Sequence, residues 1–236
     1  MRQRHVNGID EKLAGYADLI LRPATDCPSV QLLPSGRPVR WYQRTSQLYQ
    51  IPEGYERIYA EFGCGRGRFI SAMAAGDPEA LYIGIEGCKT IVAKAMAKAK
   101  AADSKNIRFI DSFINDAGTA FEEDSLSGLF LNFSDPWPKD RHEDRRLTAP
   151  AKAKAYLRIL KPGGFVLLKT DGEAFFKYSL ASFAGAGFQI AGCVCEIAKE
   201  AGCDMTIIER AIATPTEYEE RFRALDQPIY RFLAYK

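Results

Sequence analysis

A chain of 236 residues suits one large α/β domain, with enough length to bury a substantial core. Hydrophobic residues at 47%, aromatics at 11% and charged residues at 26% are the proportions of a soluble globular protein, and no run approaches the ~18 uncharged apolar residues of a membrane span, which excludes a helical integral membrane protein. The net charge of +2, from 32 Lys and Arg against 30 Asp and Glu, excludes a histone-like or tail-driven nucleic-acid binder.

Residues 1–55 contain Pro23, Pro28, Pro34, Pro38 and Pro52 and read as an extended N-terminal arm with one short helix near 10–20. The opening MRQRHVNGIDEK has no apolar stretch of signal-peptide length, so a cytoplasmic location is expected. Residues 56–236 read as one unit. Strands are predicted at 57–62, 81–86, 107–111 and 126–135, with helices at 67–75 and 88–103 and a short helical stretch between the third and fourth strands. A helix at about 149–160, a strand at 164–171 and a helix at 172–186 follow. Strand candidates at 188–197 and 228–235 flank a short helix beginning near Pro215. Runs that are apolar on both faces and alternate with helical patterns imply a seven-stranded, mostly parallel sheet with helices on both faces, a Rossmann-like α/β fold.

The six cysteines are too dilute for a disulfide scaffold and read as free thiols. No C-x-x-C occurs and His5 and His142 stand far apart, so no metal site is expected. Charge is unevenly spread. Residues 89–108 carry Lys89, Lys94, Lys98, Lys100, Lys105 and Arg108 against Asp103 alone, and 139–161 carry eight bases against three acids. That pattern fits either a basic face for a polyanion or lysines on solvated helix surfaces.

In such a sheet, ligands bind outside the carboxyl ends of the strands. The first of these loops reads Glu61-Phe62-Gly63-Cys64-Gly65-Arg66-Gly67-Arg68-Phe69. Gly63, Gly65 and Gly67 let the chain turn sharply and let a ligand approach bare backbone. A carboxylate beside that loop would repel a pyrophosphate but attract the ammonium or sulfonium of S-adenosylmethionine, which disfavours an NAD-dependent oxidoreductase. Glu86, ending the second strand, can accept ribose hydroxyls or can serve as a first-turn acid of the next helix. Asp116 can take the amino group of adenine, with the amide of Ala117 facing the ring, or can be a turn residue.

The fourth strand runs into Asn132-Phe133-Ser134-Asp135-Pro136-Trp137-Pro138-Lys139-Asp140-Arg141-His142-Glu143-Asp144-Arg145-Arg146-Leu147. Two prolines stiffen the loop that presents Asp135 and Trp137. An acid, an indole and the bases Lys139, Arg141, Arg145 and Arg146 suit a purine with nearby phosphates, the other reading being a surface loop anchored by Trp137. One of these arginines could instead pair internally with Glu143 or Asp144.

EFGCGRGRF, YIGIE, LFLNFSDPWPKDRHEDRRL, LKPGGFVLLKTD and TPTEYEERFRALDQPIYR together resemble the bacterial tRNA (guanine-N7)-methyltransferases, over essentially the whole chain. DPWPKDRHEDRRL is the most specific piece. The resemblance implies a class I S-adenosylmethionine-dependent methyltransferase domain over 56–236 that forms 7-methylguanosine in the tRNA variable loop. It further implies that Glu61, Glu86, Asp116 and Asp135 contact S-adenosylmethionine, Asp135 being also the catalytic acid. Lys139, Asp171, Thr216, Glu217, Tyr218 and Glu219 would contact the substrate. A monomer or homodimer, no membrane partner and tRNA as polyanion complete the expectation. One departure is Asp226, in ALDQPIY, where the family would have glycine. The rival readings are another S-adenosylmethionine-dependent RNA methyltransferase and a non-catalytic RNA-binding relative.

Overall fold

The computed structural model describes residues 7–23, 48–113, 117, 120–191 and 205–236. Within them β1 (Arg57–Phe62), β2 (Ala80–Ile85), β3 (Ile107–Ile110), β4 (Leu126–Asn132), β5 (Leu160–Thr170), β6 (Gln189–Ala191) and β7 (Tyr230–Tyr235) form one sheet in the order β3-β2-β1-β4-β5-β7-β6. The first five strands are parallel, and β7 lies antiparallel between β5 and β6. The helices are α1 (Ile9–Ala14), α2 (Arg68–Gly76), α3 (Lys89–Ala101), α4 (Pro150–Ile159), α5 (Glu173–Ala186), α6 (Met205–Ala213) and α7 (Glu217–Arg223).

Alternation along each strand sorts the core into two clusters, because successive side chains leave opposite faces of the sheet. Tyr59, Tyr82, Phe130, Phe165 and Leu167 point to one face, where residues of α1, α2, α3 and α6 cover them. Ala60, Phe62, Ile83, Leu131, Leu168 and Phe232 point to the other, under α4 and α5. A sheet covered on both faces needs strands that are apolar throughout, and all six residues of β2 are buried.

Several boundaries differ from expectation. β4 ends at Asn132 rather than 135, because Phe133 takes φ +49° and leaves the extended region. β5 begins earlier, at Leu160, which pairs with Leu126 across a register shift that ends at Gly128. α6 was not expected at all. The part of the predicted strand 188–197 beyond Ala191 lies outside the described residues. Asp226, at the position where glycine was expected, has φ +51°, a conformation that Asp tolerates better than most side chains.

The described parts of the N-terminal arm are integral to this core. Leu13, Leu19 and Ile20 join the first cluster, and Leu21 donates its N–H to Phe109 O at 2.8 Å, extending the β3 edge. Much of the basic run 89–108 serves the same packing. Lys89 pairs with Asp10 and Lys100 donates to Gly15 O, tying α1 to α3, while Lys98 pairs with Glu217 of α7. Cys64 and Cys88 are free thiols, whereas the other four cysteines lie outside the described residues. Among the described residues no helix is long and apolar enough to cross a membrane.

Candidate active site at the switch point of the sheet

From β1 the chain winds outward through β2 to β3, then returns to place β4 on the other side of β1. The crevice beyond the carboxyl ends of β1 and β4 is therefore the topological switch point, where open α/β sheets bind ligands. The glycine loop follows β1 and the Asp135 loop follows β4.

All three loop glycines use backbone that L side chains avoid: Gly63 has φ +78°, Gly65 φ +56° and Gly67 φ +73°. Gly63 and Cys64 donate to Ile85 O at 2.8 and 3.0 Å, which pulls the loop over the end of β2. Gly67 is the N-cap of α2, and a Cβ there would lie 2.5 Å from Ala95 Cβ, so the third glycine also permits the loop to press on α3.

Glu86 lies half-buried beside this loop. One carboxylate oxygen accepts from Gly65 N at 3.3 Å and the other from Cys88 N at 2.8 Å. Burial pushes its carboxyl above the usual range, the two amides pull it down, and the charge of Asp135 adds to the push. Asp135 itself is exposed on the loop after β4. Glu61 is only 2% exposed and sits beneath the loop, where burial raises its pKa to about 8 against the pull of Asn132 and Lys169. Asn132 Nδ2 donates to Glu61 Oε1 at 2.8 Å, while Glu61 Oε2 and Asn132 Oδ1 are buried without a hydrogen-bond partner. Asn132 Oδ1, and Glu61 Oε2 once its carboxyl gives up its proton, are acceptors left open under a glycine loop and fit a ligand bearing an ammonium group, whose charge would favour the ionised Glu61. Asp116 lies outside the described residues. The Ala117 side chain packs into the second core cluster and its carbonyl accepts from Ala120 and Phe121, so its part in an adenine site rests on its amide.

The segment after Asp135 folds into a 3₁₀ turn, Asp140–Arg145. Lys139, Arg141 and Arg145 are exposed on it. Arg145 lies 5.0 Å over the Trp137 ring and His142 meets that ring edge-on, so the indole expected to stack on a purine has its neighbours from within the loop. Arg146, expected on the outer face to meet phosphates, points inward. Its guanidinium donates to Pro136 O and Trp137 O and lies 4.3 Å over the Tyr178 ring, and the residue is buried. It latches the loop. The internal partners are carbonyls and a ring rather than Glu143 or Asp144.

The four residues 216–219 separate in the same way. Thr216 caps α7, its hydroxyl accepting from Glu219 N at 2.9 Å, and Glu217 pairs with Lys98 at 2.7 Å. Tyr218 is 46% exposed, with its ring against Phe133 at 5.3 Å and stacked on Phe222 at 4.7 Å. Glu219, expected to contact the substrate, is 1% exposed and bound by Lys169 and Arg223. Asp171 is half-buried one residue beyond β5, facing the same edge of the sheet.

Sequence reasoning passed over Asn132 and Lys169, which the structure places side by side in the β4–β5 register. The available signal was a polar residue near the end of an otherwise apolar strand. Among the described residues there is no group of three or more metal-ligating side chains.

Comparison with known proteins agrees with this geometry. A family described as "Putative methyltransferase" matches residues 55–232. A tRNA (guanine-N(7)-)-methyltransferase of Oceanobacillus iheyensis is 36% identical over 231 residues, covering 98% of this chain and 97% of its own. One of Bacillus subtilis is 38% identical over the same length and coverage. In structure the chain is similar to the 16S rRNA methyltransferase KamB, with a TM-score of 0.53 at 14% identity, over 77% of this chain and 88% of that one. An antibiotic-related methyltransferase gives 0.52 at 16% identity, over 78% and 88%. Those two likenesses carry the fold, and the sequence matches carry the family: the chain belongs to the tRNA (guanine-N(7)-)-methyltransferases.

Proposed function

We propose that this protein transfers the methyl group of S-adenosylmethionine to N7 of a guanine in tRNA, the variable-loop guanosine being the target. What supports the reading is the convergence of the positive-φ glycine loop, Glu86 and the exposed Asp135 at one switch point, in a chain of this family. S-adenosylmethionine supplies an electrophilic methyl on a sulfonium. Gly63–Gly67 would seat its methionine end, with the open oxygens of Glu61 and Asn132 below to receive the ammonium, and Glu86 would turn its carboxylate from the Gly65 amide to the ribose hydroxyls.

Guanine N7 carries an in-plane lone pair, so no proton has to be removed before attack. As the N7–carbon bond forms, the carbon–sulfur bond breaks with its electron pair passing to sulfur, and the purine becomes cationic. Positioning is therefore most of the task, and the Asp135 carboxylate would hold the guanine edge and stabilise the positive charge that develops on it. Asp171 would act as a second acid. Lys139, Arg141 and Arg145 would meet phosphates, and Tyr218 would offer its ring to the base.

The test is transfer of a labelled methyl group to unmodified tRNA, followed by nucleoside analysis. Label in 7-methylguanosine is the expected result. Binding of S-adenosylhomocysteine without transfer, or label on another atom, would overturn the reading.

A further inference from the structure

One fully buried ion pair belongs to neither the cofactor loop nor the basic turn. The Lys169 side chain is 0% exposed and that of its partner Glu219 is 1% exposed. The Lys169 ammonium donates to Ala211 O at 2.6 Å, Thr214 O at 3.1 Å and Glu219 Oε2 at 3.1 Å. The two carbonyls close the C-terminal end of α6, where helix carbonyls lack intrahelical partners, and Glu219 lies in the first turn of α7. An ammonium has three N–H bonds and no acceptor, so one side chain fills all three positions and fixes the elbow between the two helices.

The backbone of the same residue holds the other side of the site. Phe133 N donates to Lys169 O at 2.8 Å just after β4 ends. The ring of Phe133, two residues before Asp135, meets that of Tyr218 at 5.3 Å. Through its ammonium and its carbonyl, Lys169 therefore sets both partners of that contact. The exposed pairs Lys98–Glu217 and Arg68–Glu220 also hold α7, but pairs on the surface are worth ~1 kcal/mol or less and are screened by salt. A buried ion pair is weak as a stabilising device, since apolar residues of similar volume often serve as well. Its best-attested use is to fix register.

We propose that Lys169 is a positioning residue for methyl transfer, which sets the α6–α7 elbow so that Tyr218 meets the guanine at the Asp135 loop. The proposal rests on the functional reading above, in which Tyr218 touches the base. The three N–H bonds of Lys169 go to the elbow and α7, while its ammonium also lies 5.4 Å over the Phe69 ring of α2 and its charge acts on Glu61, so cofactor affinity has to be measured beside turnover.

The experiment is a mutant cycle on the full chain. Lys169→Met alone leaves the buried Glu219 with only Arg223 to neutralise it and can fail to fold, so the assay uses Lys169→Met with Glu219→Leu, which removes both buried charges, alongside Tyr218→Ala and the triple variant. The expected results are kcat for tRNA lower by tenfold or more in the double variant, with KM within about threefold and S-adenosylhomocysteine affinity falling far less than kcat in every variant. The triple variant should be no worse than Tyr218→Ala within twofold, because residues that act through one another are not additive. Multiplying losses, or cofactor affinity falling in step with kcat, would overturn the proposal and leave the functional reading standing. A wild-type chain that makes no 7-methylguanosine would overturn both.

Discussion

At the carboxyl ends of β1, β4 and β5 the face under α4 and α5 presents Phe62, Leu131 and Leu168, whereas the opposite face, one residue further along each strand or one before, presents Glu61, Asn132 and Lys169. The apolar row needs only shape. Phe183, for example, packs against Phe188, Phe232 and Tyr156 with ring centroids 5.1 to 6.3 Å apart. The polar row needs a partner for every atom, and it leaves two acceptors open under the glycine loop while committing Lys169 fully to α6 and α7. Both rows are equally buried, so burial does not distinguish a packing residue from one that serves a ligand. Open acceptors placed at the switch point do, since Ser182 on α5 and Arg210 on α6 also carry buried unpartnered atoms away from it.

Five substitutions would break or sharpen this contrast. The largest effect on folding is expected from Phe183→Ala on the apolar face, a loss of about 3–5 kcal/mol by denaturant unfolding with S-adenosylhomocysteine affinity of the folded protein unchanged. A fall in that affinity would mean that the two faces are not independent. Asp135→Asn, at the mouth of the polar side, should lower turnover on tRNA by about a hundredfold or more with little change in stability or tRNA affinity. Near-normal turnover would reduce Asp135 to a shaper of its loop.

Glu61→Gln tests whether the buried acid carries a proton. Its folded pKa of about 8 lies above the ordinary carboxylate value of 4.5, so between those two pH values the folded state holds a proton that the unfolded state has lost. Its contribution is present in full below about pH 4.5 and is lost as pH rises through about 8, at up to ~1.4 kcal/mol per pH unit. Melting temperatures measured from pH 5 to 9 should fall less steeply in the Gln variant, and parallel curves would show that Glu61 does not titrate there. The smallest effect separates neighbouring arginines. Arg145→Gln should flatten the salt dependence of tRNA binding by roughly 0.7–0.9 in log–log slope, one phosphate contact, whereas Arg146→Gln should loosen the 136–146 loop and leave the slope alone. Equal slopes in the two variants would refute the division between an outward and an inward arginine.

The strands were legible because a doubly covered sheet writes itself as apolar runs, and RIYAEF, LYIGIE and GFVLLKTD could hardly be anything else. The glycine loop was legible for a backbone reason, since three glycines in alternation correspond to three positive φ values. α6 was missed although Ile207, Ile208 and Ala211 sit on one helical face, because the neighbouring strand and turn signals framed that stretch as a connection. The burial of Arg146 and Glu219 was not legible for a different cause. A charged residue inside a charged motif looks exposed, and the groups that bury these two, Tyr178 and Lys169, are 32 and 50 residues away in sequence. Lys169 could not be read for the same reason, because its three acceptors lie 42 to 50 residues downstream.

The position of β7 has a consequence for synthesis. Strand β5 ends at Thr170, yet the strand that covers its free side, β7, begins at Tyr230, about 60 residues later. As the chain emerges, β5 presents a row of unpaired N–H and C=O groups flanked by Val166, Leu167 and Leu168 until that late strand arrives. Pairing at such sequence separation is slow, so the growing polypeptide passes through an interval in which this edge can recruit a strand from another molecule. Association of nascent or truncated chains through β5 is the hazard this topology carries, and a chaperone that shields an extended apolar edge is the kind of assistance it would call for.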